Sequence, residues 1–193
     1  MRFFALFFAA LFFSTPLFAA TENTVILEQN PYSSFIVAST LYVISETGNI
    51  MHLISPSTNK FYRTIKLDNG PTRALVYNGK IYVTNSEDRT VSVYYTTGTY
   101  KTLSVVGSGP IGMVGIGSRI YVASFDDKIS VIDSVGDSRL DDTLLLAGGT
   151  PSEHMTITGN RIFIHHPLTK TVSVFTTSCN KIHKNNAVGK SPQ

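Results

Sequence analysis

Few residues in this 193-residue chain carry side chains suited to chemistry, and they are scattered. Glu153-His154 sets a carboxylate beside an imidazole, the groups used in metal binding or acid–base work. Neighbours on a strand point to opposite faces, and one carboxylate with one imidazole falls short of a zinc ligand set. His165-His166-Pro167 offers two adjacent imidazoles that could hold a transition metal with help from elsewhere. His154, His165 and His166 are therefore weak metal candidates. Asp126-Asp127 and Asp141-Asp142 are turn acids without the spacing of a calcium loop. Serine is abundant, but no Gly-x-Ser-x-Gly elbow occurs. Gly107-Ser108-Gly109-Pro110 lacks the Lys-Ser/Thr ending of a phosphate loop. No catalytic constellation and no cofactor is implied.

What must position these residues is a repeat. Asn30-Pro31, Gly70-Pro71, Gly109-Pro110 and Thr150-Pro151 recur at steps of 40, 39 and 41. After each Pro comes an apolar core: Leu41 to Ile44, Ile81 to Thr84, Ile120 to Ala123, and Ile162 to His165. A second apolar core follows in each unit, for example Val91-Ser92-Val93-Tyr94. Unit two reads as four strands: Arg73 to Tyr77, Lys80 to Asn85, Thr90 to Tyr95 and Lys101 to Val106. Their β-branched and aromatic residues suit a pleated sheet, and Asn78-Gly79 suits a tight hairpin. His52 reads as a packing variation at a Val position of the third strand. The tyrosines recur as core residues.

A four-stranded sheet of this size cannot bury both faces alone, and stacking copies around an axis solves the problem. Small Ser92, Ser130 and Ser173 would let neighbouring sheets approach. The fold class expected is all-β: a propeller-like array of about four four-stranded antiparallel blades, in a closed small ring or a partial propeller. The blades fall near residues 31–70, 71–109, 110–150 and 151–191 of a single domain spanning 21–193. Thr24 to Leu27 resembles an outer strand that could pair into the last blade and fasten the ring. An open arc would leave apolar faces at both ends and invite self-association. Pro192 falls where a fifth unit would begin, so a truncated propeller is an alternative.

Gly79-Lys80-Ile81-Tyr82-Val83-Thr84-Asn85-Ser86, with Asp88 and Thr90-Val91-Ser92-Val93, resembles the YVTN-type β-propeller repeat. The resemblance runs from Pro31 to Phe175 and is closest in unit two. It implies an exported protein and, by analogy, a hydrolase; with the lack of a reactive cluster and the fifth unit only begun at Pro192, three classes of role are open. These are a noncatalytic binding module of the cell envelope, a metal-assisted lactonase-like hydrolase, and a fragment without independent function. In a propeller the first strand of each blade lines the axis. Ser33, Arg73, Glu153 and His154 would then lie near a channel mouth, with Arg73 and Glu153 on opposite blades of a closed ring.

The ends and the charge fit export. Arg2, the apolar run Phe3 to Phe13 and the small residues before Ala20 are the parts of a signal peptide covering residues 1–20. The run is shorter than the roughly 20 residues of a membrane span. A periplasmic or secreted location follows as an expectation, with no membrane span after signal removal. The formal net charge of +3 is dispersed, whereas a nucleic-acid binder concentrates its basic groups. The partner expected is instead a protein or cell-envelope component. Cys179 is the only cysteine, so no disulfide can form within the chain.

Overall fold

The computed structural model describes residues 25–27, 30–95, 99–104, 107–145, 154–177 and 181–187. The proposed leader, Glu153, Cys179 and the tail around Pro192 lie outside them. The described residues form four antiparallel sheets of four strands each, joined in chain order. Blade one holds β1 (Ser33–Val37), β2 (Thr40–Ser45), β3 (Ile50–Ser55) and β4 (Lys60–Lys66). Blade two holds β5 (Pro71–Tyr77), β6 (Lys80–Asn85), β7 (Thr90–Tyr94) and β8 (Tyr100–Ser104). Blade three holds β9 (Pro110–Ile116), β10 (Arg119–Ser124), β11 (Lys128–Asp133) and β12 (Ser138–Leu145). Blade four holds β13 (Met155–Thr158), β14 (Arg161–His166), β15 (Thr171–Thr176) and β16 (Lys181–Ala187).

Turn chemistry sets the register. The β5–β6 hairpin turns on Asn78 and Gly79 at φ 48° and 72°, a pair that tolerates the left-handed region. Blade one makes the matching turn with Ala38 at φ 51°, a conformation alanine adopts only under strain. With register fixed, alternate side chains of each strand face opposite neighbours.

Three apolar clusters fill the three spaces between successive blades. Ile44, Met51 and Leu53 of blade one meet Ile81, Val83 and Tyr94 of blade two. Tyr82, Val91 and Val93 meet Ile120, Val122 and Ile132 of blade three. Tyr121, Ile129 and Val131 meet Ile162, Ile164 and Phe175 of blade four. Each such side chain stabilises by roughly 1.5–3 kcal/mol when fully buried, so these interfaces hold the blades together. Ser92, Ser130 and Ser173 are fully buried on the faces turned toward the preceding blade, the close-approach role their size suggested. The first strands β1, β5, β9 and β13 neighbour one another in that order.

Two expectations from the sequence are corrected. Val25, Ile26 and Leu27 are not a strand of blade four, which has its own outer strand, β16. They lie over blade one, lining cavities with Leu41, Val43 and Ile54 and with His52 and Phe61. The reason is visible in the repeat. Leu27 stands before Asn30-Pro31 as Leu67 stands before Gly70-Pro71, and Leu67 is a connector residue buried against the following blade. Among the described residues, blades one and four share no packed core, and the array is an open arc.

His52 is displaced by one residue from its expected place. The β2–β3 register pairs His52 with Val43, as β6–β7 pairs Ser92 with Val83. His52 thus holds the serine position, on the face of blade one that Ile26 and Leu27 overlie. It is 2% exposed, neither ring nitrogen has a hydrogen-bond partner, and its ring meets Phe61 edge-on at 5.7 Å.

Candidate ligand-binding site

The outer part of the space between blades one and two opens into a cleft of about 320 Å³. Tyr42, Tyr94, Tyr95 and Tyr100 line it, with Arg63 and Lys66. The sheet ladder places each group. Tyr94 ends β7 and Tyr100 begins β8, so the two are cross-strand partners and their rings stack at 5.4 Å. Tyr42 stacks at 5.2 Å on Phe35, its partner on β1. Arg63 and Lys66 come from the exposed outer strand β4. Tyr94 is 5% exposed and forms the floor, whereas Tyr100 is 58% exposed and forms the rim.

Tyr95 only borders the cleft, because a clamp from blade three holds its side chain on the opposite face of the sheet from Tyr94. Asp137, 4% exposed, follows β11 in a turn at φ 46°. Its carboxylate accepts hydrogen bonds from Tyr95 Oη at 2.7 Å, Tyr82 Oη at 2.8 Å and Lys80 Nζ at 2.7 Å. Lys80 also donates to the Ser134 carbonyl at 2.9 Å, and its ammonium lies 5.6 Å from the centre of the Tyr95 ring. Burial disfavours the Asp137 charge, but the bonds from Lys80, Tyr95 and Tyr82 outweigh it and hold the carboxyl below the ordinary carboxylate range. The Tyr82 phenol is raised, first by burial and then by its bond to Asp137. The Tyr95 phenol is raised chiefly by that same carboxylate. Tyr94 is raised by burial and by the charge of Asp68.

In chemical terms the cleft is a set of flat aromatic faces beside two cations. Arg63 and Lys66 form no ion pair among the described residues. Stacking faces with convergent polar groups suit a ring-bearing ligand. The cations add a preference for an anionic one.

The candidates singled out by sequence are dispersed. Ser33 is half-buried at the start of β1. Arg73 is half-buried on β5, where its backbone N–H donates to Thr84 Oγ1 at 2.9 Å. His154 is exposed just before β13, and Glu153 lies outside the described residues. His165 and His166 are split across their sheet. His165 is exposed, whereas His166 is 1% exposed with Nε2 2.7 Å from Ser173 Oγ in the blade interface. Strand alternation separates the two imidazoles, so they share no site. Among the described residues no group of three or more His, Cys, Asp or Glu could hold a metal ion. No helix there is long and apolar enough to cross a membrane.

Sequence reasoning passed over the tyrosine cleft because its residues occupy ordinary blade positions. The available signal was local: unit two alone carries Tyr94-Tyr95 and Tyr100 around one hairpin.

Solved structures place the fold among β-propellers. The chain superposes on a Streptogramin B lyase with a TM-score of 0.74 at 14% identity, covering 88% of this chain and 58% of that one. Against Kuenenia stuttgartiensis hydrazine synthase the TM-score is 0.72 at 19% identity, covering 88% and 53%. Against the Neurospora crassa Pan2 WD40 domain it is 0.68 at 14% identity, covering 82% and 50%. The chain spans about half the length of the structures it matches. No family model and no curated protein sequence matches it. The class defined by fold and sheet order is a propeller-like protein, with four blades among the described residues.

Proposed function

We propose that this chain is an exported, noncatalytic binding module of the cell envelope, whose cleft between blades one and two holds an acidic saccharide. The observation that carries the reading is the convergence of Tyr42, Tyr94 and Tyr100 with Arg63 and Lys66, neither of them ion-paired among the described residues, around about 320 Å³. Sugar rings have apolar faces that lie on aromatic rings, and a carboxylate substituent matches a guanidinium fork. The leader-like run Phe3 to Phe13 and the likeness to exported YVTN-type repeats support the location.

Calorimetric titration with oligogalacturonate, and with a neutral oligosaccharide of equal length, tests the reading. The acidic ligand binds and the neutral one binds at least tenfold more weakly. Arg63→Ala removes most of that preference, and Tyr100→Ala weakens both. Equal heats from both ligands, or full binding by Arg63→Ala and Tyr100→Ala, would refute the assignment.

A further inference from the structure

Among the described residues no other blade covers the outer face of blade one, over which Val25–Leu27 lie, or the outer face of blade four, and the two are halves of an interface the chain already builds three times. We infer that they pair head to tail between two copies of this chain, blade four of one docking on blade one of the other.

The blade-two to blade-three interface is the template. In it Tyr77 lies over Gly115, where even a Cβ on the glycine would lie 2.5 Å from the ring. Sheet register gives the equivalents on these two faces. Tyr77 precedes its hairpin opposite Lys80 as Thr158 does opposite Arg161. Gly115 pairs with Ile120 as Ile36 pairs with Leu41. A large residue over a small one thus becomes a small residue, Thr158, over a large one, Ile36. Both are exposed, Ile36 at 63%.

The polar contacts transfer in the same register. Lys80 of blade two reaches the Ser134–Asp137 turn of blade three. Arg161 takes the place of Lys80 on blade four, is exposed, and has no ion-pair partner among the described residues. The Pro56–Asn59 turn of blade one takes the place of Ser134–Asp137, and Asn59 shares the left-handed backbone of Asp137, at φ 54° against 46°. Arg161 of one copy therefore meets the Pro56 carbonyl and the Asn59 amide of the other.

Apolar surface waits on both sides. Phe163, Val172 and Val174 are only half-buried on the far face of blade four. On blade one a groove of about 480 Å³ runs between Leu41, Val43 and Ile54 and the chain's own Val25 and Leu27, with Pro56 and Asn59 at its edge; Leu27 there takes the place that the connector Leu67 holds between blades one and two. Buried, unpartnered His52 lies on that face, at the position the preceding blade covers elsewhere. A heterologous contact of this kind closes into a ring when its rotation allows. Two copies give eight blades, the upper end of the usual four to eight.

Sedimentation equilibrium of the full chain over a concentration series reads the pairing, with two variants at exposed positions, Ile36→Arg and Thr158→Arg. The parent sediments at twice the chain mass, and each variant alone at the chain mass with unchanged circular dichroism. Mixing the two variants restores a one-to-one complex, because each retains the face the other has lost. A parent that stays monomeric at every concentration would overturn the inference. So would a dimer that survives either substitution, or variants that fail to complement on mixing.

Discussion

Replacing Asp137 by Asn should loosen the grip of blade three on blade two without disturbing the backbone. The native turn residue sits at φ 46°, a region asparagine tolerates. The carboxylate serves Lys80 and Tyr95 through one oxygen and Tyr82 through the other. An amide offers one oxygen and turns an NH2 group toward the remaining donors. Removing one partner of a buried ion pair costs about 3–5 kcal/mol. Lys80 keeps 19% of its side chain in solvent and retains the Ser134 carbonyl, which lowers the figure. The expected loss is about 2–3 kcal/mol, from charge-assisted bonds worth roughly 1.5–3 kcal/mol each. Alanine at the same place should lose about 1 kcal/mol more, since it also resists the left-handed backbone.

Urea unfolding as a function of pH separates these effects. The folded Asp137 titrates below its ordinary value of about 3.9. Its contribution is therefore complete above about pH 5 and is lost as the pH falls through the ordinary value toward the folded one. The parent loses stability over that range, and Asp137→Asn loses less. A difference under about 0.5 kcal/mol at pH 7, the scale of an ordinary surface substitution, would refute the clamp. So would an acid limb of unchanged slope.

Ala38→Gly relieves the strained first hairpin and should raise the unfolding free energy by about 0.5–1 kcal/mol in the same assay. Gly115→Ala forces the Tyr77 ring off its seat and should destabilise by about 1–3 kcal/mol, with loss of the 2.8 Å bond from Tyr77 Oη to the Gly117 carbonyl. His52→Leu replaces two unpartnered buried nitrogens by an apolar group and should raise the thermal midpoint, by about 1 kcal/mol of stability.

The period of the chain was legible because Pro and the hairpin residues punctuate it, and the sheets follow that punctuation closely. In unit two the expected strand Lys80 to Asn85 coincides with β6. The β7 strand ends one residue earlier than expected, at Tyr94, where the backbone turns to the Tyr95–Thr99 hydrogen bond. Register was harder. Ile50-Met51-His52-Leu53 looks like an apolar run from either phase, so its one-residue offset left no mark in composition. Blade partners were also hidden. Nothing local says that Asp137 reaches back to Lys80, Tyr82 and Tyr95, because those contacts span more than 40 positions and depend on how two sheets stack. The cleft was illegible for the same reason. Tyr42 and Tyr100 belong to different blades, and each alone is an ordinary strand residue.

The account rests on an arc of four blades among the described residues, with no blade covering either end face. Pulsed electron–electron spacing between nitroxides at positions 36 and 158, in labelled chain diluted with unlabelled chain, measures this most directly. Both sites are exposed. A closed ring would bring these two sheets to the usual face-to-face spacing of about 10 Å. An open arc predicts an intrachain distance well beyond that spacing, and a dominant population at contact range would contradict it.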